Sequence, residues 1–247
     1  MNNKPNSLYL VRQYLDLRRL FTFLGSGRIL PRQVDAGYLV HCYLTELFGP
    51  LRPQPFVITR TLGPWLEVLG YNKYDHHTLI RQAEKNPKKD LLSAVRWDNF
   101  SSKKMPDSFP AGKNLSFQLR ICPVERKARG CGQHRPGAEI DVFLSAVERK
   151  QEITSREKVY TEWIKKKLDD TGAVKCLSLR LLGFRRSLFI RRDNLRRFKT
   201  LERPDVLCQG SIEIKNSAAF QNLLKRGVGR HRCFGFGMLL LTRKKLV

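Results

Sequence analysis

GVGRHRCFGFGMLLL, residues 227–241, sets four glycines, Gly227, Gly229, Gly235 and Gly237, around a basic tip and then runs into an apolar stretch. Glycine at this density costs backbone entropy, so it marks places where the chain bends with positive φ or lets another group come close. Met238 to Leu241 read as a buried strand. The stretch is therefore a basic loop, with Arg230, His231 and Arg232 at its tip, feeding the last strand of the fold. It is not a P-loop, because no Gly-Lys-Ser/Thr accompanies the glycines.

Working backwards, SAAFQNLLKRG (217–227) has helical spacing, with Ser217 as N-cap and Gly227 as stop. VLCQGSIEIK (206–215) reads as a strand. VKCLSLRLLGFRRSLFIRR (174–192) reads as a β-hairpin turning near Gly183 or somewhat later. EKVYTEWIKKKL (157–168) is a helix with Val159, Trp163 and Ile164 facing inward. ERKARGCGQHRPGAE (125–139) is a basic, glycine-rich loop, and LSFQLRICPV (115–124) alternates as a strand does. This half is ordered β-α-β-β-α-β.

The first half gives the same order. LYLVRQY (8–14) is a strand, followed by LFTFLGSGRILP with its Gly-Ser-Gly turn. RQVDAGYLVHCYLTELFG (32–49) is a helix with Gly37, Val40, Leu44 and Leu47 on one face, and Asp35 favours its N-terminal dipole. FVITR (56–60) and WLEVLGYN (65–72) are strands, residues 76–95 are helical, and VRWDNFSS supplies a fourth strand. The Pro- and Gly-rich KKMPDSFPAGKN (103–114) separates the halves. The expected architecture is α+β: two tandem ferredoxin-like, RNA-recognition-like domains, 1–107 and 108–247, with a C-terminal glycine-rich loop.

The chain has 247 residues, and 47 Lys and Arg against 22 Asp and Glu give a net charge of +25. Such an excess is the electrostatic footprint of a nucleic-acid binder. The six cysteines form no C-x-x-C pair, and Cys131 with His134 lacks a second ligand pair at finger spacing. Scattered single cysteines suit a reducing compartment. The N-terminus is broken by charges and no apolar run reaches membrane-spanning length, so a cytoplasmic protein without a membrane partner is expected. No acidic cluster is arranged for a metal, and no cofactor is expected.

The glycine stretch resembles the C-terminal signature of CRISPR repeat-processing endoribonucleases of the CasE (Cse3) branch, typical of type I-E systems. Three further stretches are similar to that family, in its order: YLVHCYLTELFGP (38–50), FPAGKNLSFQLRICPVERK (109–127) and EKVYTEWIKKKLDDTGAVKCLSLRLLGFRR (157–186). Extra residues, including Gly25-Ser26-Gly27, precede the first-helix motif. The resemblance implies metal-independent cleavage of precursor CRISPR RNA at a repeat stem-loop, by attack of a 2′-hydroxyl on the adjacent phosphate. The products are a 2′,3′-cyclic phosphate and a 5′-hydroxyl. It also implies that the protein stays on its hairpin as a subunit of a Cascade-type effector complex, with other Cas proteins as partners.

On this resemblance His41 is the acid or base, a role that suits an imidazole, and Tyr38 its companion one helical turn away. Read from the sequence alone, both residues suit the edge of a core better than a catalytic role. Arg185, Arg186, Arg191 and Arg192 flank the expected hairpin turn and are expected to clamp RNA phosphates. Arg230, His231, Arg232 and the loop glycines are expected near the RNA backbone. The competing reading is a non-catalytic subunit that binds the repeat hairpin. A basic structural RNA-binding protein is a third.

Overall fold

The computed structural model describes residues 7–25, 35–127, 135–149, 155–192 and 198–242. The chain runs β1 (Tyr9–Asp16), α1 (Leu17–Gly25), α2 (Ala36–Phe48), β2 (Phe56–Leu62), β3 (Trp65–Asn72), α3 (His76–Glu84) and β4 (Ser101–Lys104). It continues as β5 (Asn114–Ile121), β6 (Val124–Arg126), β7 (Glu139–Asp141), α4 (Val142–Glu148), α5 (Arg156–Asp169), β8 (Val174–Arg192), β9 (Phe198–Ile214), α6 (Ser217–Arg226) and β10 (Leu239–Thr242).

Two four-stranded antiparallel sheets result, ordered β2-β3-β1-β4 and β10-β5-β9-β8. Taken from the last strand, each has the order fourth, first, third, second. This is the split βαβ arrangement expected of two ferredoxin-like units. In the first, Val11 and Leu15 of β1 meet Leu39, Val40, Tyr43, Leu44 and Leu47 of α2 and Leu79 of α3. In the second, Phe117, Leu119 and Ile121 of β5 meet Tyr160, Ile164 and Leu168 of α5 and Phe220 and Leu224 of α6. Val57 and Tyr71 of the first sheet enter this second core, and the Tyr71 hydroxyl donates to the Leu239 carbonyl at 3.0 Å.

Several local expectations change. Residues 174–192 are one strand, not a hairpin; β8 pairs with β9 from Val174↔Ile214 to Arg192↔Phe198. Gly183 sits where the register shifts between Leu181 and Gly183, so it marks a bulge rather than a turn. Helix α6 is capped by Asn216, which accepts from Ala219 N, while Ser217 Oγ accepts from Phe109 N. The helical segment 76–95 is split: α3 ends before Pro87, and a 3-10 turn covers Lys89–Ala94. Another 3-10 turn, Trp97–Asn99, replaces the start of the expected fourth strand. On α5 the buried residues are Tyr160, Ile164 and Leu168, with Val159 and Trp163 beside them at the edge. Part of the expected loop 125–139 is the β6–β7 ribbon. Cys131, His134 and the Ser26-Gly27 turn lie outside the described residues.

Candidate active site

Asp35 fixes where α2 begins. Its carboxylate accepts from Gly37 N at 2.8 Å, an N-cap bond that satisfies one orphan donor of the first turn. The apolar face of α2 goes to the sheet, which leaves Tyr38 and His41 toward the C-terminal glycine loop. Both rings meet Phe234, with centroids 5.8 Å away for Tyr38 and 5.3 Å, edge-on, for His41. The His231 ring also meets Phe234, at 6.2 Å. Burial first, and the Arg52 charge second, pull His41 below the usual histidine range, so its neutral imidazole predominates near pH 7. The approach of loop to helix requires Gly37, since a Cβ there would lie 2.1 Å from the Phe234 carbonyl oxygen.

The loop is pinched at its base. Val228 N donates to Gly237 O and Gly237 N donates to Arg120 O, each at 2.7 Å. A Cβ on Gly237 would lie 2.1 Å from Val228 O, and Gly227, Gly229 and Gly235 share its positive φ. These glycines are thus required by the loop's own path, whatever binds there. His231 has φ 58, a left-handed conformation that is uncommon outside glycine. Glu139 holds it there, with Oε2 2.9 Å from His231 Nε2. Glu139 Oε1 also accepts from Arg230 Nε at 2.5 Å, and Arg203 Nη2 lies 3.5 Å from Oε2. The His231 hydrogen bond and the Arg230 guanidinium hold the Glu139 carboxyl down at about 2. Gln54, Arg203, Arg230, His231 and Arg232 line an open cleft around this carboxylate, so cations outnumber anions there.

On the other side of the α2 N-terminus a second cleft lies between the two sheets, lined by Arg60, Arg120, Arg185, Arg186 and Asp205 among others. Arg185 Nε donates to Asp205 at 2.7 Å, and Arg186 Nη1 donates to Glu202 at 2.9 Å. Arg191 and Arg192 belong to the far end of β8, and their side chains lie outside the described residues. The fold therefore gathers Tyr38, His41, Arg230, His231 and Arg232 at one place and puts Arg185 and Arg186 in the neighbouring cleft.

Sequence reasoning passes over Phe234, Glu139, Arg203 and Arg120. Phe234 carries a usable signal, an aromatic set between the basic tip and a glycine. Glu139 carries none, being 92 residues from the histidine it holds. Among the described residues no group of three His, Cys, Asp or Glu stands ready for a metal ion, and no helix is long and apolar enough to cross a membrane.

The sequence pattern of one protein family, described as CRISPR associated protein, matches residues 8–243. The fold is similar to that of the CRISPR endoribonuclease Cse3 bound to a 19 nt RNA, at 17% identity and TM-score 0.62, over 96% of this chain and 100% of that one. It is similar to the CRISPR-associated protein Cas6e from Escherichia coli str. K-12, at 17% identity and TM-score 0.54, over 95% and 98%. A chain of a CRISPR RNA-guided surveillance complex also matches, at 14% identity and TM-score 0.57, over 95% and 98%. No curated protein matches the sequence.

Proposed function

The chain belongs to the CRISPR associated protein family, and from that premise we propose that it binds the stem-loop of CRISPR repeat RNA and cuts the precursor beside it. His41 is the general base. Its neutral imidazole takes the proton of the 2′-hydroxyl as the 2′-oxygen attacks the adjacent phosphorus. The phosphorus–O5′ bond breaks, and the 5′-oxygen takes a proton from water. A 2′,3′-cyclic phosphate and a 5′-hydroxyl remain, and no metal takes part. Tyr38 positions the 2′-hydroxyl. Arg230, His231 and Arg232 offset the charge that builds on the phosphate.

The RNA stem runs along the second sheet, held by Arg185, Arg186, Arg191 and Arg192. The loop at Gly227, Gly229, Gly235 and Gly237 passes close to the RNA backbone. The two units divide at 107/108, between the last strand of the first sheet and the first strand of the second. After cutting, the protein stays on its hairpin as a subunit of an effector complex with other Cas proteins.

The observation that carries this reading is the meeting of Tyr38, His41 and the cationic loop around one phenylalanine, Phe234. Repeat RNA incubated with the protein in EDTA tests it. A single cut with a cyclic-phosphate end is expected. Loss of cutting in EDTA, or a 3′-hydroxyl product, overturns it.

A further inference from the structure

One buried ion cluster lies between the two sheets and includes neither Tyr38, His41 nor the basic tip of the loop. Arg120, on β5, is buried. Its Nε and Nη2 donate to the two oxygens of Asp205 on β9, at 2.9 and 2.7 Å, as a two-pronged fork. The same Nη2 donates to Asp35 Oδ2 at 2.6 Å. Asp35 is the N-cap of α2, and its backbone N–H donates to the Leu188 carbonyl of β8 at 3.0 Å. Asp205 in turn accepts from Arg185 Nε and from Ser187 Oγ, both at 2.7 Å. The Arg120 guanidinium lies over the Phe236 ring, 4.1 Å from its centroid, and the Arg120 carbonyl accepts from Gly237 N.

One guanidinium therefore touches the start of the catalytic helix, the strand pair that carries Arg185, and the base of the glycine loop. A buried ion pair adds little net stability over an apolar replacement, but its directional bonds specify one geometry. The fork needs the planar guanidinium; an ammonium supplies the charge without the second prong.

We propose that Arg120 is a positioning residue, which sets α2, and with it Tyr38 and His41, against the strands and loop that hold the RNA. The proposal rests on the function given above. It predicts that Arg120 acts on the rate of cutting and leaves RNA affinity nearly intact, because every solvent-facing cation is kept and Arg185 still has Asp205 to hold it.

Two variants break the link and leave Tyr38, His41 and the RNA-facing arginines in place. Arg120→Lys keeps the charge and loses the fork. Asp35→Asn keeps a good N-cap, so α2 still starts at the same place, but turns the anion that faces Arg120 at 2.6 Å, and Arg185 more distantly at 3.6 Å, into a neutral amide. Single-turnover cutting of repeat RNA at saturating protein is compared with RNA affinity and with the melting temperature, alongside His41→Ala. Each variant is expected to cut up to about 10²-fold more slowly, the cost typical of a misplacement near 1 Å, with affinity within about threefold of wild type. The double variant is expected to be no slower than the slower single one, since both cut the same link.

If Arg120→Lys does not fold, Asp35→Asn decides alone. If His41→Ala is slow while Asp35→Asn and Arg120→Lys cut at the wild-type rate, the positioning role is overturned and the function stands. The role is overturned too if affinity falls in step with rate, or if the two single effects multiply. If His41→Ala cuts like wild type, the assigned function fails and the positioning role fails with it.

Discussion

Two clusters of charge flank the N-terminus of α2, built from similar groups and differing in access to water. Around Arg120 the side chains are nearly dry: Arg120, Asp35 and Asp205 are exposed by 9%, 5% and 4%. Two arginines, Arg120 and Arg185, face two aspartates, and the charge balances. Around Glu139 the cleft is open, with Arg230 exposed by 43%, and two arginines and a histidine face one glutamate. Arg232 adds a further cation to its lining. A buried charge must be matched locally because the interior screens poorly. A half-exposed one can stay in excess and wait for a phosphate. The closed cluster holds shape; the open one offers charge.

The largest effect is expected where the open cluster meets the base. His41→Ala is expected to slow cutting by about 10²–10⁴-fold, the usual worth of a general acid or base, while the repeat hairpin still binds. The pH dependence sharpens this. The folded-state pKa of His41 is lowered, so the neutral, base-competent form is present above it and lost below it. The kcat/KM of the wild type is expected to rise through a midpoint below 6.5 and to be flat at neutral pH. A rate that falls as pH rises through that range reverses the role of His41.

Next in size is the difference between the two sets of arginines in RNA binding. Every phosphate that a variant leaves unneutralised reduces the slope of log affinity against log salt by about 0.7 to 0.9. Arg230→Ala with Arg232→Ala is expected to lower the slope by the full amount. Arg185→Ala with Arg186→Ala is expected to lower it less, because carboxylates match the arginines of that cleft, Asp35 and Asp205 for Arg120 and Arg185 and Glu202 for Arg186, whereas Arg230 shares the single Glu139 with Arg203 and His231. An equal fall in slope for the two pairs breaks the contrast between a balanced and an unbalanced cleft.

The smallest effect concerns Glu139 and stability. Its folded pKa lies well below the unfolded one, so it stabilises the fold above about 4.5, and that contribution disappears as pH falls to about 2. The melting temperatures of wild type and Glu139→Gln are expected to differ at pH 6 and to converge toward pH 2. A gap that persists in acid means that Glu139 acts through packing, not charge.

Much of the fold is legible in the sequence because its strands alternate and its helices have clean stripes. WLEVLGYN marks a strand at its observed bounds, Trp65–Asn72, and the repeated β-α-β-β-α-β order holds in both halves, with α1 added to the first and the β6–β7 ribbon and α4 added to the second. The 174–192 strand reads as a hairpin because Gly183 and the arginine pair after it imitate a turn. What separates a bulge from a turn is the partner strand, whose pairing is non-local. Gly37 falls in an apolar stripe, although its reason is a carbonyl brought from residue 234. Asp35 reads as a dipole acid, which is true locally, and its bond to Arg120 spans 85 residues. Tyr38 and His41 are legible through helical spacing and a family resemblance. Glu139 and Arg120 are not, since lone charged residues carry no periodicity.

The central claim is that the RNA supplies its own nucleophile at the site formed by Tyr38 and His41. A repeat RNA with a single 2′-deoxy nucleotide just upstream of the cut tests it most directly, because only the attacking oxygen is removed. The account predicts that this RNA binds as tightly as the unmodified repeat and remains intact at that position. Cutting there at the normal rate would contradict it.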